Sequence, residues 1–131
     1  MSNNSPKEIG IYEAIEYASD HMIKIFTVIE EIVRAFNVTV KFQGNLTTIT
    51  IQDKKSSIQR GDKLRIIALD IFTNPKSYTM NLYHQKNGIK NPDLVYEIKV
   101  KGGYELKTLK TNLQKLIRGT NLTHRPRFYP F

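Results

Sequence analysis

Residues 38 to 51 read Val38-Thr39-Val40-Lys41-Phe42-Gln43-Gly44-Asn45-Leu46-Thr47-Thr48-Ile49-Thr50-Ile51, two alternating runs meeting at a Gly-Asn pair. Alternation with a period of two sends Val38, Val40 and Phe42 to one side of an extended strand and Thr39, Lys41 and Gln43 to the other. Gly44-Asn45 suits a two-residue hairpin turn that opens with Gly at positive φ. Pairing Gln43 with Leu46 sets Val40 opposite Ile49 and Val38 opposite Ile51. The same register sets Lys41 opposite Thr48 and Thr39 opposite Thr50, so both strands agree on which side is wet. A sheet with one apolar side needs a cover from elsewhere in the chain.

Downstream, Asp53 to Asp62 reads as a polar, basic loop carrying Lys54, Lys55 and Arg60. Leu64 to Phe72 is a nearly continuous apolar run, the pattern of a central strand covered on both faces, with Arg65, Ile67 and Leu69 sharing one of its sides. Asn74-Pro75 turns the chain, Ser77 to Gln85 alternates again, and Asn87-Gly88 with Asn91-Pro92 bounds the next connection. Leu94 to Lys101 reads as a fifth strand, with Leu94, Tyr96, Ile98 and Val100 on one side and Val95, Glu97, Lys99 and Lys101 on the other. Gly102-Gly103 ends it. From Tyr104 the period becomes helical: Leu106, Leu109, Leu113, Leu116 and Ile117 form an apolar face, and Gly119 stops the helix. The opposite face gathers Lys107, Lys110, Gln114 and Arg118, with Lys115 at its edge.

Upstream, Ser5-Pro6-Lys7-Glu8 has the form of a helix start: a capping hydroxyl, proline at the first helical position and a glutamate able to reach back to the cap. Ile11, Ile15, Ala18, Met22, Ile25, Ile29, Ile32 and Phe36 then follow 4-3 spacing, which predicts one helix from Pro6 to Phe36, roughly 45 Å long if unbroken. Tyr12, Phe26, Val28 and Val33 widen the stripe beyond a coiled-coil seam. Such a helix packs on its own sheet, and its overhang is suited to a second copy of the chain. Met22 and Ile25 on the stripe, with Tyr17 and Ile23 beside it, are the expected contact residues.

The elements predict an α+β domain: a long N-terminal helix, a five-stranded mostly antiparallel sheet and a basic amphipathic C-terminal helix. Both helices cover one face and leave the other open. Residues 1–131 read as a single domain with tails at 1–5 and 120–131, large enough to bury about two thirds of the surface of the unfolded chain.

The charge is unevenly placed. Residues 1–52 hold four Lys/Arg against six Asp/Glu, whereas 53–131 hold sixteen against six, so the net charge of +8 belongs to the second half. A one-sided positive field attracts polyanions. The absence of Cys removes disulfides, thiolate nucleophiles and Cys-based zinc sites, and fits a reducing compartment. With no basic start and apolar run after Met1, and no stretch of about 18 apolar residues, the chain is expected to be cytoplasmic, or nuclear in a eukaryote, and to have no membrane partner. His21, His84 and His124 are dispersed, there is no Gly-rich phosphate loop, and no cofactor or metal is expected.

Three groups of residues can carry function. The first is the basic cluster of Lys99, Lys101, Lys107, Lys110, Lys115, Arg118, Arg125 and Arg127, opposed only by Glu105; such cations displace counterions from phosphates. The second is the tail His124-Arg125-Pro126-Arg127-Phe128-Tyr129-Pro130-Phe131, where Arg and aromatic rings hold exposed bases or, alternatively, Phe128, Tyr129 and Phe131 pack on the domain or a neighbouring subunit. The third is the open sheet face, where Tyr83 stands among Lys41, Lys99 and Lys101 with Thr39, Thr48, Thr50 and Asn81. Asp70, Glu97 and Lys99 echo a nuclease metal site, but Glu-x-Lys on an alternating strand is common by chance, and no enzyme is expected. The chain thus reads as a non-enzymatic nucleic-acid-binding module of low sequence specificity, and as a homodimer. The alternative is a protein-interaction module, an adaptor or inhibitor docking its basic helix and aromatic tail on an acidic partner.

Overall fold

A computed structural model describes residues 7–34, 36–54, 58, 64–86, 90–102 and 105–118. Its elements run β1 (Glu8–Gly10), α1 (Ile11–Tyr17), α2 (Asp20–Ile32), β2 (Phe36–Gln43), β3 (Leu46–Asp53), β4 (Leu64–Thr73), β5 (Lys76–Gln85), β6 (Asp93–Lys101) and α3 (Leu106–Ile117). The strands form one antiparallel sheet in the order β1-β2-β3-β4-β5-β6. The fold is α+β, with one strand more than expected.

The hairpin has the register that its alternation dictates. Gln43 faces Leu46, Val40 faces Ile49 and Val38 faces Ile51, and Gly44 has φ 61° at the first turn position. A second hairpin turns at Asn74-Pro75, whose peptide is cis. The two turns are tied together: Asn45 Nδ2 donates to the Asn74 carbonyl at 2.7 Å, and the Thr73 amide donates to the Asn45 carbonyl at 2.9 Å.

The long N-terminal helix is corrected by the structure. Glu8 to Gly10 lie in β1, where Ile9 faces Val40, and the helical stretch is broken at Ala18-Ser19. Ala18 and Ser19 are extended, and the Ser19 hydroxyl accepts the Met22 amide at 3.3 Å, capping α2. A side chain that satisfies a first-turn amide makes a new helix start locally stable, and the apolar spacing survives because both segments belong to one layer. The expected Ser5-Pro6 cap lies outside the described residues. Phe36, placed by spacing on the helix, is instead the first residue of β2.

The helices cover one side of the sheet. Met22, Ile25, Phe26 and Ile29 of α2 and Leu109, Leu113 and Leu116 of α3 are buried against Val40, Ile49, Ile51, Ile67, Leu69, Ile71, Tyr78, Met80, Leu82 and Ile98. Phe26 meets Phe42 edge-to-face at 6.1 Å, and Asn112 Nδ2 donates to the Tyr78 hydroxyl at 2.8 Å inside this layer. Burial pushes the Tyr78 phenol above its ordinary value of 10.0, against the smaller opposing effect of that hydrogen bond. Only one face of β4 is fully buried. Ile67, Leu69 and Ile71 are buried beneath the helices, while Ile66, Ala68, Asp70 and Phe72 on the other face are half-buried among neighbouring strands. No helix among the described residues is long and apolar enough to cross a membrane.

Both main helices run the same way. α3 follows Lys101, which is paired with Ser77 near the start of β5, and ends where Arg65 of β4 donates to the Ile117 carbonyl. α2 starts beside Lys76, where burial first and then the Lys76 charge depress the His21 imidazole, and ends where the Phe36 amide donates to the Val33 carbonyl at 2.9 Å. Their carboxyl ends therefore meet over the Asp53 margin of the sheet. There the Arg65 guanidinium pairs with Asp53 at 3.1 Å and lies 5.4 Å above the Phe36 ring. Asp53 thus closes β3 on the core side and does not open a solvated loop.

Candidate nucleic-acid interface

α3 presents its cations because its other face is committed to the core. With Leu109, Leu113 and Leu116 buried, helical geometry sends Lys107, Lys110 and Arg118 outward along one strip, and all are exposed, with Lys115 at the edge. From Leu106 to Arg118 the chain has no Asp or Glu. Among the described residues Lys107, Lys110 and Arg118 enter no salt bridge; the described bridges join Arg34 to Glu30, Arg65 to Asp53 and Lys99 to Glu97. The strip spans about 16 Å, near the rise of five nucleotides along one strand of a duplex. The Arg65 hydrogen bond to Ile117 holds its carboxyl end against the sheet.

The basic cluster expected from sequence divides in two. Lys99 and Lys101 pair with Thr79 and Ser77 and so stand on the open side of the sheet, opposite to the helices. Lys99 Nζ is 3.6 Å from the Glu97 carboxylate, and Lys101 is exposed. Tyr83 is on that open side too, half-buried and facing Leu94, which is 55% exposed. Thr39, Lys41, Thr48, Thr50 and Asn81 share this face, as their alternation requires. Thr48 Oγ1 donates to Asp70 at 2.8 Å, and Asn81 Oδ1 is enclosed without a hydrogen-bond partner. The sheet separates these groups from Lys107, Lys110, Lys115 and Arg118, so the two sets cannot grip one phosphate run together. Arg125, Arg127, Phe128, Tyr129 and Phe131 lie outside the described residues.

The other expected sites fare differently. Asp70 and Glu97 share the open face but come from β4 and β6 with β5 between them and a two-residue offset along the strands, about 12 Å apart by strand geometry, and not from neighbouring strands. No three His, Asp or Glu among the described residues gather as metal ligands. On the helical layer, Met22 and Ile25 are 3% and 0% exposed within this chain's own core and offer nothing to a second copy; Ile23 is half-buried and Tyr17 is 69% exposed. The overhanging helix that would have joined two copies is absent among the described residues, because the chain breaks at Ser19.

Two features escaped the sequence reading. One is the Arg65–Asp53–Phe36–Ile117 junction just described. The other is an open cavity of about 670 Å³ between the β1–α1 junction and the end of α2, lined by Gly10, Ile11, Tyr12, Val33, Phe36 and Val38, with Glu30, Arg34, Asn37 and Lys54 at its polar parts. Its Arg34 and Glu30 are 3.8 Å apart, a surface pair of little energetic weight. No protein-family model, curated protein or solved structure matches this chain.

Proposed function

We propose that this chain is a small nucleic-acid-binding module that contacts phosphates through the outer face of α3, with low sequence specificity. The observation that carries the reading is a helix face whose charges are all positive and exposed. A helix that needs only solubility does as well with mixed signs, since like charges three or four residues apart repel and opposite ones attract. An unmixed face trades that small local gain for attraction to a polyanion, and each phosphate neutralised releases condensed counterions. Three of the four cations on that face are lysines, point charges suited to phosphate rather than to base edges, which is why low specificity is part of the reading.

The test is quantitative. Joint replacement of Lys107, Lys110, Lys115 and Arg118 by Glu alters only exposed positions, so the variant keeps its fold by circular dichroism and loses oligonucleotide binding. For the unaltered protein, engagement of about four phosphates gives a log-log salt slope near −3 to −4. Binding at micromolar strength that ignores both salt and the four replacements would refute the proposal. Retention of an acidic protein that oligonucleotides fail to displace would instead favour the adaptor reading.

A further inference from the structure

We propose that two copies of this chain join along β6, antiparallel and in a single register, extending the sheet through both. The sheet has two ends. β1 closes one with three residues, while β6 leaves the other with nine, and no described strand lies beyond it. A long strand at the end of a sheet invites another strand, and proteins commonly block such edges with lysine. Here Lys99 and Lys101 would do so, except that Glu97 stands two residues from Lys99 on the same open face.

The order Tyr96-Glu97-Ile98-Lys99-Val100 is self-complementary about its centre. A two-fold axis through Ile98 sets Glu97 opposite Lys99 of the second copy, and Lys99 opposite its Glu97, while Tyr96 and Val100 face each other on the helical side. Cross-strand neighbours must lie on one face, so the register can slip only by shifting the axis one residue at a time. One step places Glu97 opposite Glu97; the other places Lys99 opposite Lys99 while setting Glu97 opposite Lys101, so only the register centred on Ile98 has opposite charges paired and no like charges facing each other. Both juxtapose like charges, which destabilises a strand pair, whereas opposite charges favour it. Charge complementarity therefore names a second copy as the occupant and selects one register. It also moves the expected dimer from the first helix to the opposite side of the molecule. The proposal is independent of the nucleic-acid reading, since protein alone tests it.

Sedimentation equilibrium at about 100 µM is expected to show dimer, an affinity in the micromolar range. Both charges are exposed, so E97K and K99E fold normally, and each weakens the dimer by about tenfold through two repelling contacts. The exchanged variant E97K/K99E recovers it. Because the chain has no cysteine, E97C and K99C add a disulfide assay. Opposed Cα atoms stand at about 5 Å, within disulfide range, whereas diagonal ones are about 7–8 Å apart. Oxidation of a mixture of the two single variants thus yields the mixed disulfide, and neither variant alone gives a homodimeric one. A monomer at that concentration, a dimer indifferent to both reversals, or efficient self-linking of either cysteine variant overturns the proposal.

Discussion

Replacing Arg65 with Met tests the junction where both helices end. The substitution keeps most of the side-chain stem and removes the guanidinium, which pairs with Asp53 at 3.1 Å, donates to the Ile117 carbonyl and covers Phe36. Breaking a fully buried ion pair by deleting one partner costs about 3–5 kcal/mol. The Arg65 side chain is 23% exposed and that of Asp53 11%, so water reaches part of the site, and the Arg65 amide still approaches the carboxylate at 3.3 Å. The expected loss is therefore smaller, about 2–3 kcal/mol, equivalent to a fall in Tm of about 6–12 °C for a chain of this size. Replacing Asp53 with Asn leaves the guanidinium its contacts with Ile117 and Phe36, and is expected to cost less. Urea denaturation of both single variants and the double variant gives the coupling, expected near 1.5 kcal/mol. Hydrogen exchange adds a local readout, since the last turn of α3 should lose protection before the β-sheet does. A cost below about 0.5 kcal/mol for R65M, the size of an ordinary surface substitution, would refute the assignment of Arg65 as the anchor of α3.

Two further predictions concern the helical layer. Y78F leaves Asn112 buried without its 2.8 Å partner and is expected to cost about 1–2 kcal/mol, whereas the double change with N112L recovers much of it; equal losses in the two variants would remove the hydrogen bond from consideration. The same tyrosine predicts alkaline behaviour: its phenol is held above 10.0 in the folded chain, so its contribution is complete below that pH and is lost as pH rises through the folded value. Y78F should therefore flatten the decline of stability above about pH 10 in denaturation series. S19A removes the cap of α2 and is expected to lower stability by about 1 kcal/mol with S19D restoring it, and a loss unaffected by S19D would speak against capping.

The hairpin was legible in the sequence because two independent signals agree there: alternation assigns the faces of Val38–Phe42 and Leu46–Ile51, and Gly44-Asn45 leaves no freedom of register. α3 was legible for a similar reason, since its five apolar residues and four cations divide cleanly on one helical wheel. The first helix was misread because apolar spacing reports which residues face the core and not whether the backbone between them is continuous. Ile11, Met22, Ile25 and Ile29 are indeed buried, but Ser19 carried the only local mark of a break, and three residues are too few for β1 to show a period. Asp53 could have been placed. It shares parity with Ile49 and Ile51, which puts it on the core side, and Arg65 is the one cation in the run that follows. The division of the basic cluster was hidden because Lys99 and Lys107 are near in sequence, yet a sheet lies between them.

The parallel course of α2 and α3 gives the monomer an electrical axis. Peptide dipoles aligned side by side add, concentrating about half a positive charge at each amino end and its counterpart at each carboxyl end. The amino ends lie toward the margin carrying Lys76 and Lys101, and the carboxyl ends toward Asp53, so a single copy is asymmetric toward a polyanion laid along α3. Under the proposed two-fold pairing at β6, the second α3 points the opposite way and the axial components cancel. A polyanion on the proposed α3 face would then be held more strongly at the amino end of a monomer than at its carboxyl end, and evenly along a dimer.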